Sequence, residues 1–310
     1  MSTISLSILV VSYNSKKLTL ECLDSVFQET RLTSFEVIVW DNASTDGSPE
    51  AIGAVYGSRA RLIRSNQNLG FAAANNRAAE VANGDYLLLL NPDTIVLNGA
   101  IDSLVAFAKN NPASGIWGGR TLFKDGRLNP SSCWGRQTVW SLFCQAIGLS
   151  VVFKHTSAFN PEGMGEWNRE GVRAVDIVSG CFLMIRRELW SALGGFREEF
   201  FMYGEEVDLC LRAHSLGAQP LVTSEATIVH YGGASERVLA EKLVRLLKAK
   251  ALLIDMHFSP ALRQIGRWLL FLWPVRRYCI HAVLASVGRR ASVDARDAWF
   301  EAVRRFRDWW

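Results

Sequence analysis

Short apolar segments that end abruptly in polar loops recur through the first part of the chain and constrain its fold. They lie at residues 4–11, 35–40, 61–64 and 86–90. Their β-branched and aliphatic residues predict strands, and the stretches between them carry apolar residues at helical spacing. Strands that alternate with helices favour an α/β fold with a Rossmann-like, mainly parallel sheet flanked by helices.

The polar loops that follow three of these strands predict a binding site. They are residues 12–14, 41–47 and 91–93. In an open parallel sheet, ligands bind beyond the carboxyl ends of the strands. We therefore expect the three loops to meet in one crevice.

The length of the chain predicts a second, smaller unit. The chain has 310 residues, whereas single cores tend to stop growing at about 250 to 300 residues. The strand and helix pattern ends near residue 235, which predicts one α/β unit over residues 1–235. Residues 236–310 are expected to form a basic amphipathic helical tail, because residues 241–310 hold 14 Lys/Arg and 6 Asp/Glu.

This tail predicts reversible attachment to an anionic membrane surface. It carries tryptophans at positions 268, 273, 299, 309 and 310, and basic aromatic helices suit the interface of an anionic bilayer. A packing helix or a dimer interface is the alternative. The apolar run at residues 268–275 is far shorter than the about 20 residues that a membrane span needs. Because the chain does not begin with a signal peptide, we expect it in the cytoplasm, peripheral on the inner face of the cell membrane.

The sequence lacks the motifs that are typical of several other enzyme classes. A P-loop, a Gly-x-Gly-x-x-Gly fingerprint, a Gly-x-Ser-x-Gly elbow and a His-Glu-x-x-His helix are absent from the sequence. The six cysteines are scattered without a Cys-x-x-Cys pair, so neither a zinc site nor a disulfide framework is indicated. No nucleic-acid partner is expected. Residues 110–172 show weak periodicity and predict loops and short strands.

The sharpest single motif is Asn91-Pro92-Asp93, which follows a strand of unbroken apolar character. It delivers the Asp93 carboxylate to the predicted crevice. A divalent cation prefers oxygen ligands and can neutralise the charge that grows on a departing diphosphate. Asp93 is therefore assigned to a cation. Alternatively, Asn91 and Asp93 form a turn or cap the next helix.

In their order and spacing, seven motifs resemble glycosyltransferase family 2, particularly its rhamnosyltransferase-like members. They are residues 11–14, 41–47, 68–76, 91–93, 194–196, 200–212 and 230–235. The resemblance covers roughly residues 4–235 and implies a GT-A fold, to which the predicted helical tail adds a C-terminal helical extension. It implies an inverting transfer of a sugar, with rhamnose from dTDP-rhamnose preferred, from a dTDP or UDP carrier to a hydroxyl. The acceptor would be a glycan or a lipid-linked oligosaccharide in cell-surface polysaccharide synthesis.

The resemblance also implies a metal site. Asn91-Pro92-Asp93 is similar to the Asp-x-Asp metal motif of the family, with Asn in the first place. His230 matches a histidine that completes the metal coordination or contacts the diphosphate. Mg²⁺ or Mn²⁺ held by Asp93, Asn91 and His230 is therefore the expected cofactor. Taken alone, His230 would more often be a hydrogen-bonded packing residue.

The catalytic base is implied in the same way. Glu206 occupies the position of the family's base, which is commonly an Asp, and it would take the proton of the acceptor hydroxyl. Glu205 and Asp208 are neighbours that could share or take over this role. The alternative is that the three acidic residues only stabilise the N-terminus of a helix.

Asp41 resembles the carboxylate that hydrogen-bonds the pyrimidine base of the donor, and a helix cap is its alternative. The other residues expected to bind substrate are Ser12, Tyr13, Asn14, Asn68, Gly70, Asn75, Asn76, Asn91 and Arg212. For residues 68–76 the alternative is an ordinary helix start with polar caps.

Two departures from the family pattern, Asn91 and Glu206, support a second hypothesis. The protein would then be a catalytically silent scaffold or sensor that binds a sugar nucleotide. Both substitutions keep an oxygen ligand or a carboxylate, so the enzyme is the preferred hypothesis. A nucleotidyltransferase is disfavoured because no glycine-rich, lysine-bearing phosphate loop follows the first strand.

Overall fold

The computed structural model describes residues 5–232 and 239–310 and divides the chain into two compact units. Unit 1 comprises residues 1–134, 168–201 and 205–235. Unit 2 comprises residues 135–167, 202–204 and 236–310. The predicted boundary at residue 235 falls outside the described residues. The units differ from the predicted division because residues 135–167 belong with the C-terminal helices.

The strands of the described residues are, in chain order, β1 (Leu6–Ser12), β2 (Phe35–Asp41), β3 (Arg61–Arg64), β4 (Tyr86–Leu90), β5 (Thr94–Val96), β6 (Ile116–Leu122), β7 (Leu128–Asn129), β8 (Cys133–Trp134), β9 (Val172–Ala174), β10 (Ile177–Val178), β11 (Phe182–Arg186) and β12 (Leu221–His230). The α-helices are α1 (Lys16–Glu29), α2 (Ser48–Tyr56), α3 (Gly70–Glu80), α4 (Ala100–Asn110), α5 (Val139–Ile147), α6 (Leu149–Val152), α7 (Arg187–Leu193), α8 (Glu205–Ser215), α9 (Leu239–His257), α10 (Pro260–Ser286) and α11 (Ala291–Arg304). The four strands predicted in the first part of the chain are β1 to β4.

Unit 1 is built on a ten-stranded sheet of main order β3-β2-β1-β4-β11-β6-β12-β5, with β7 beside β6 and β9 beside β12. β1 pairs in parallel with β2 and β4, and β2 pairs in parallel with β3. β11 is antiparallel to both β4 and β6. The predicted α/β sheet is confirmed, and antiparallel strands complete it on the β11 side.

β1 and β4 occupy the middle of this sheet because their side chains are apolar on both faces. Every residue of β1 is buried, as are four of the five residues of β4. α1 and α4 contribute Leu23, Val26 and Leu104 to the core that packs on them. The polar loops after these strands are therefore carried by a rigid, buried framework.

Unit 2 has its own core, formed by α5, α9, α10 and α11. The apolar stripe predicted on α9 faces this core, where Leu243, Leu247 and Ile254 are buried together with Trp299 and Trp309. The predicted amphipathic helix is present, and its apolar side is used for packing.

The segment of residues 135–167 contains a helix, α5, where only loops and short strands were predicted. Thr138 and Ser141 form a capping box at its start. The Lys250 ammonium of α9 lies 2.5 Å from Glu162, and the Gln145 amide of α5 donates to the other oxygen of Glu162 at 2.7 Å. These contacts explain why the segment belongs to unit 2. α5 has nine residues, and so short an apolar run does not reveal its period.

No helix in the described ranges is both long enough and apolar enough to cross a membrane.

Candidate active site

The first two polar loops meet at the carboxyl edge of the sheet. Ser12, the last residue of β1, is paired with Asp41, the last residue of β2. The Asn14 side chain accepts a hydrogen bond from the Thr45 N–H at 2.8 Å, and the Asn14 N–H donates to the Ser44 hydroxyl at 2.9 Å. β4, which pairs in parallel with β1, delivers the third loop to the same edge.

Asp41 is a buried carboxylate, 2% exposed, with one oxygen available. Its Oδ2 accepts a hydrogen bond from the Ser44 N–H at 3.0 Å, whereas Oδ1 has no hydrogen-bond partner among the described residues. α2 begins at Ser48 behind Gly47, so Asp41 does not cap that helix. Such an oxygen is suited to accept the ring N–H of a pyrimidine base. Tyr13, on the adjoining loop, is exposed.

Asn42 joins this loop to residues 68–70 and was not identified from the sequence as a site residue. Its amide nitrogen donates to the Asn68 side-chain oxygen at 2.8 Å, and its own oxygen accepts from the Leu69 N–H at 2.9 Å. Asn68 also accepts from the Gly70 N–H at 2.9 Å. This network holds the start of α3 beside the Asp41 loop.

Gly70 permits a close approach between the start of α3 and the loop that precedes α8. Its φ is +80°, and a Cβ at this position would lie 2.3 Å from the Phe201 carbonyl oxygen. The Phe71 N–H donates to that same oxygen at 2.7 Å. A side chain at position 70 would therefore strain the backbone and push the loop away.

We expect Gly70→Ala to lower the free energy of unfolding by about 2 to 4 kcal/mol, because backbone strain and a collision act together. Gly126→Ala is the matched control, since φ at Gly126 is +81° and nothing lies within 4 Å of its Cβ position. It should lose only about 1 kcal/mol, the cost of strain alone. Denaturant unfolding of both variants measures the difference, and equal losses would contradict the steric argument.

Three side chains converge at the third loop. Asp93 Oδ1 lies 3.3 Å from His230 Nε2, and the Asn91 amide nitrogen lies 3.5 Å from the same atom. The pairing of β5 with β12 creates this contact, because Thr94 is opposite His230 in that ladder. The element after Asp93 is the strand β5, so neither Asn91 nor Asp93 caps a helix there.

These three residues fit a divalent cation. Burial disfavours the imidazolium form of His230, yet Cys181 and Asp93 outweigh burial and raise the pKa of His230 to about 10. Without a cation the ring is therefore protonated at neutral pH, and it must lose this proton to bind a metal ion. His230 Nδ1 is buried without a hydrogen-bond partner in the described ranges, and carboxylate, amide and imidazole groups all bind such cations. Nowhere in the described part of the chain do three His, Cys, Asp or Glu residues form a metal cluster, so the amide of Asn91 completes this set.

α8 presents an acidic N-terminus, with Glu205, Glu206 and Asp208 in its first turn. Glu205 is 4% exposed, and its Oε2 has no hydrogen-bond partner among the residues that the structure describes. Burial, and then the neighbouring Glu206, raise the pKa of Glu205 well above its ordinary value. Glu206 is half-buried, and the partial positive charge of the helix N-terminus favours a carboxylate there.

Asp208 and Arg212 hold the loop that precedes α8. Asp208 is fully buried and lies 2.7 Å from Arg212 and 3.4 Å from Arg197. Arg212 also donates to the carbonyl oxygens of Leu193 and Gly195 at 2.7 and 2.8 Å. Arg212 was expected to bind substrate, and Asp208 was expected to be able to share or take over the role of base; both roles stay predictions. The contacts within unit 1 give them a positioning role.

Three more predicted substrate-binding residues bond to the protein itself. Asn76 holds the same loop, because it donates to the Phe196 carbonyl at 2.9 Å and accepts from the Phe196 N–H at 2.9 Å. Asn75 is buried and donates to the Phe71 carbonyl at 2.9 Å. Ser12 is fully buried. Contact between these side chains and substrate stays a prediction.

Residues 179–181, which the sequence did not single out, connect the third loop with α8. The Cys181 carbonyl accepts from the Asn91 N–H at 3.1 Å. A Cβ at Gly180 would lie 3.8 Å from the Glu206 Cβ. Asn91 and Glu206 therefore both lie next to residues 179–181. This short segment brings the predicted metal motif and the acidic start of α8 into one site. The available signal was a glycine inside an apolar strand pattern.

Two solved structures share this fold. The mannosyltransferase PcManGT from Pyrobaculum calidifontis, in complex with GDP-Man and Mn²⁺, matches with a TM-score of 0.59 over 97% of this chain and 86% of its own, at 18% identity. TarS from S. aureus matches with a TM-score of 0.54 over 97% of this chain and 54% of its own, also at 18% identity. The fold is that of the GT-A glycosyltransferases.

The family model described as glycosyl transferase family 2 matches residues 7–190, which is more than half of the chain. The chain belongs to glycosyltransferase family 2.

Two relatives support the predicted rhamnosyltransferase-like resemblance. The O-antigen biosynthesis protein RfbC of Myxococcus xanthus is 29% identical over 245 residues, which cover 76% of this chain and 18% of that protein. The N-acetylglucosaminyl-diphospho-decaprenol L-rhamnosyltransferase of Mycobacterium tuberculosis is 30% identical over 213 residues, which cover 63% of this chain and 66% of that enzyme. The chain thus spans less than two thirds of the length of either relative, and the resemblance is confirmed at the level of the family.

Proposed function

We propose that the protein is an inverting, metal-dependent glycosyltransferase. It takes a sugar from a nucleoside diphosphate and transfers it to a hydroxyl of a glycan or a lipid-linked oligosaccharide. The observation that carries the proposal is the convergence of Asn91, Asp93 and His230 beside the acidic start of α8. Relatives named for O-antigen biosynthesis and for rhamnosyl transfer favour a role in cell-surface polysaccharide synthesis.

The donor proposed is dTDP-rhamnose. Asp41 Oδ1 is a buried acceptor, and thymine and uracil both offer it a ring N–H, so this contact suits dTDP and UDP equally. The exposed ring of Tyr13 offers a face for stacking. Rhamnose as the sugar is supported by the relative that is named as an L-rhamnosyltransferase.

Asp93, Asn91 and His230 would hold Mg²⁺ or Mn²⁺, which supplies positive charge for the diphosphate as it leaves. Glu206 accepts the proton of the acceptor hydroxyl while the hydroxyl oxygen attacks the anomeric carbon and the bond from that carbon to the diphosphate breaks. Attack from the face opposite the diphosphate inverts the anomeric configuration. Burial and the neighbouring Glu206 raise the pKa of Glu205 and disfavour its ionised form, so Glu206 is the carboxylate of this pair that we assign as the base.

A donor panel tests this proposal. The full chain is incubated with Mg²⁺ or Mn²⁺, a polyprenyl-diphosphate-linked saccharide, and dTDP-rhamnose or one of several UDP- and GDP-sugars, and release of nucleoside diphosphate is measured. We expect dTDP-rhamnose to react about tenfold faster than the other donors, and EDTA to abolish the reaction. Absence of release with every donor and acceptor pair would refute the enzyme.

A further inference from the structure

α10 carries apolar side chains on two opposite faces. One face packs into unit 2, where Gly266, Leu270 and Pro274 are buried. The opposite face, here called the α10 stripe, is exposed and consists of Ile265, Trp268, Leu272, Ile280, Val283 and Val287, the last at the C-cap. At 3.6 residues per turn, these positions fall within an arc of about 120°. A surface helix normally turns polar residues toward water on that side.

The sequence around the α10 stripe is rich in positive charge, and of its arginines Arg267 lies 3.7 Å from an acidic side chain, that of Asp255. Residues 256–293 contain six arginines and neither Asp nor Glu. Arg276 lies near the middle of the stripe, but its guanidinium turns away and donates to the Gln145 carbonyl at 3.0 Å. Arg289 and Arg290 are exposed just beyond the end of the helix. Unit 2 as a whole holds 17 Lys/Arg and 9 Asp/Glu.

We propose that the α10 stripe lies in the surface of an anionic phospholipid bilayer, with the helix axis parallel to the membrane plane. The stripe supplies apolar side chains to the interfacial region, and the arginines supply attraction to anionic headgroups. Trp268, 58% exposed, is of the residue type that favours this depth.

Charge decides between the bilayer and a second copy of the chain. Two copies joined through their α10 stripes would bring two sets of arginines together, and residues 256–293 hold no acidic residue to compensate for their repulsion, although Asp255 is paired with Arg267. The headgroups of an anionic bilayer would instead neutralise the positive charge of these arginines. The membrane attachment predicted for the tail is thereby assigned to α10, because the apolar stripe of α9 is buried in the core of unit 2.

Vesicle flotation of the full chain tests the proposal. We expect binding to vesicles with about 30% phosphatidylglycerol to be at least about tenfold stronger than to phosphatidylcholine alone, and to weaken as salt rises to about 0.5 M. The double variant Leu272→Glu/Val283→Glu should lose about tenfold or more of this binding. Val55→Glu is the matched control, because Val55 in α2 is 58% exposed and lies in unit 1; it should bind like the wild type.

A second measurement does not depend on whether the double variant folds. Brominated lipid should quench part of the tryptophan fluorescence of the wild type, and the single substitution Trp268→Phe should remove most of that quenching. Wild-type protein that ignores anionic vesicles, or a folded stripe variant that binds them equally well, would overturn the proposal. The proposal would also be overturned if light scattering showed that the wild type is a dimer and that the double variant is a monomer. Binding requires neither donor nor acceptor, so its failure would leave the proposed sugar transfer intact.

Discussion

Asp93→Ala is expected to lower the turnover number about a hundredfold to a thousandfold and to abolish the response to added Mn²⁺. Asp93 is the only carboxylate among the three converging side chains, because its partners are the amide of Asn91 and the imidazole of His230. Removing it leaves an amide and an imidazole, neither of which supplies negative charge to a divalent cation. Initial rates over a Mn²⁺ titration measure the effect, and donor binding is measured separately.

Two comparison variants make this result specific. Asp125→Ala removes an exposed carboxylate from the turn between β6 and β7 and should leave both rate and Mn²⁺ response unchanged. Asn91→Asp adds a second carboxylate to the site and should lower the Mn²⁺ concentration that gives half-maximal rate. Full activity and undiminished Mn²⁺ dependence of Asp93→Ala would remove the proposed metal site from the mechanism.

Glu206→Gln is expected to reduce the turnover number about a hundredfold to ten-thousandfold while donor affinity stays near that of the wild type. The glutamine keeps the shape of the side chain but accepts no proton from the acceptor hydroxyl. Single-turnover rates and equilibrium binding of the donor, measured on the same preparation, separate the chemical step from binding.

Glu205→Gln is the matched control at the adjacent position. Because burial and Glu206 raise the pKa of Glu205, the ionised form of its side chain is disfavoured, and glutamine should change the rate by less than about fivefold. A rate loss in Glu205→Gln alone would transfer the role of base to Glu205. Unchanged product formation by Glu206→Gln would point to another base, and donor binding without any turnover in the wild type would favour the silent sensor.

The site residues that could be predicted from the sequence stand at strand ends. Asp41 directly ends a strand, Asn91 and Asp93 follow one, and His230 ends another, so topology carries them to one edge of the sheet. Asn42 was not identified, because its partners are 26 to 28 residues away along the chain. Contacts at such separation leave no periodic signal in a sequence.

The loop before α8 shows a different limit of sequence reasoning. Asn76 and Arg212 were assigned to substrate because they stand in family motifs, whereas the structure finds them bonded to Phe196, Leu193 and Gly195. Motif membership indicates that a residue matters to the site. It does not distinguish a side chain that touches substrate from one that positions the loop.

The sequence by itself determined the order of strands and helices in the first half of the chain, since hydrophobic periodicity is a local property that each element carries. Only the tertiary structure decided that Glu205 is buried next to Glu206 and that α5 packs with the C-terminal helices. It also decided that the apolar side of α9 is buried, whereas one apolar face of α10 is exposed. Burial and protonation depend on which distant segments pack against a residue. The pattern of a helix shows that it has an apolar face, and its neighbours decide what that face meets.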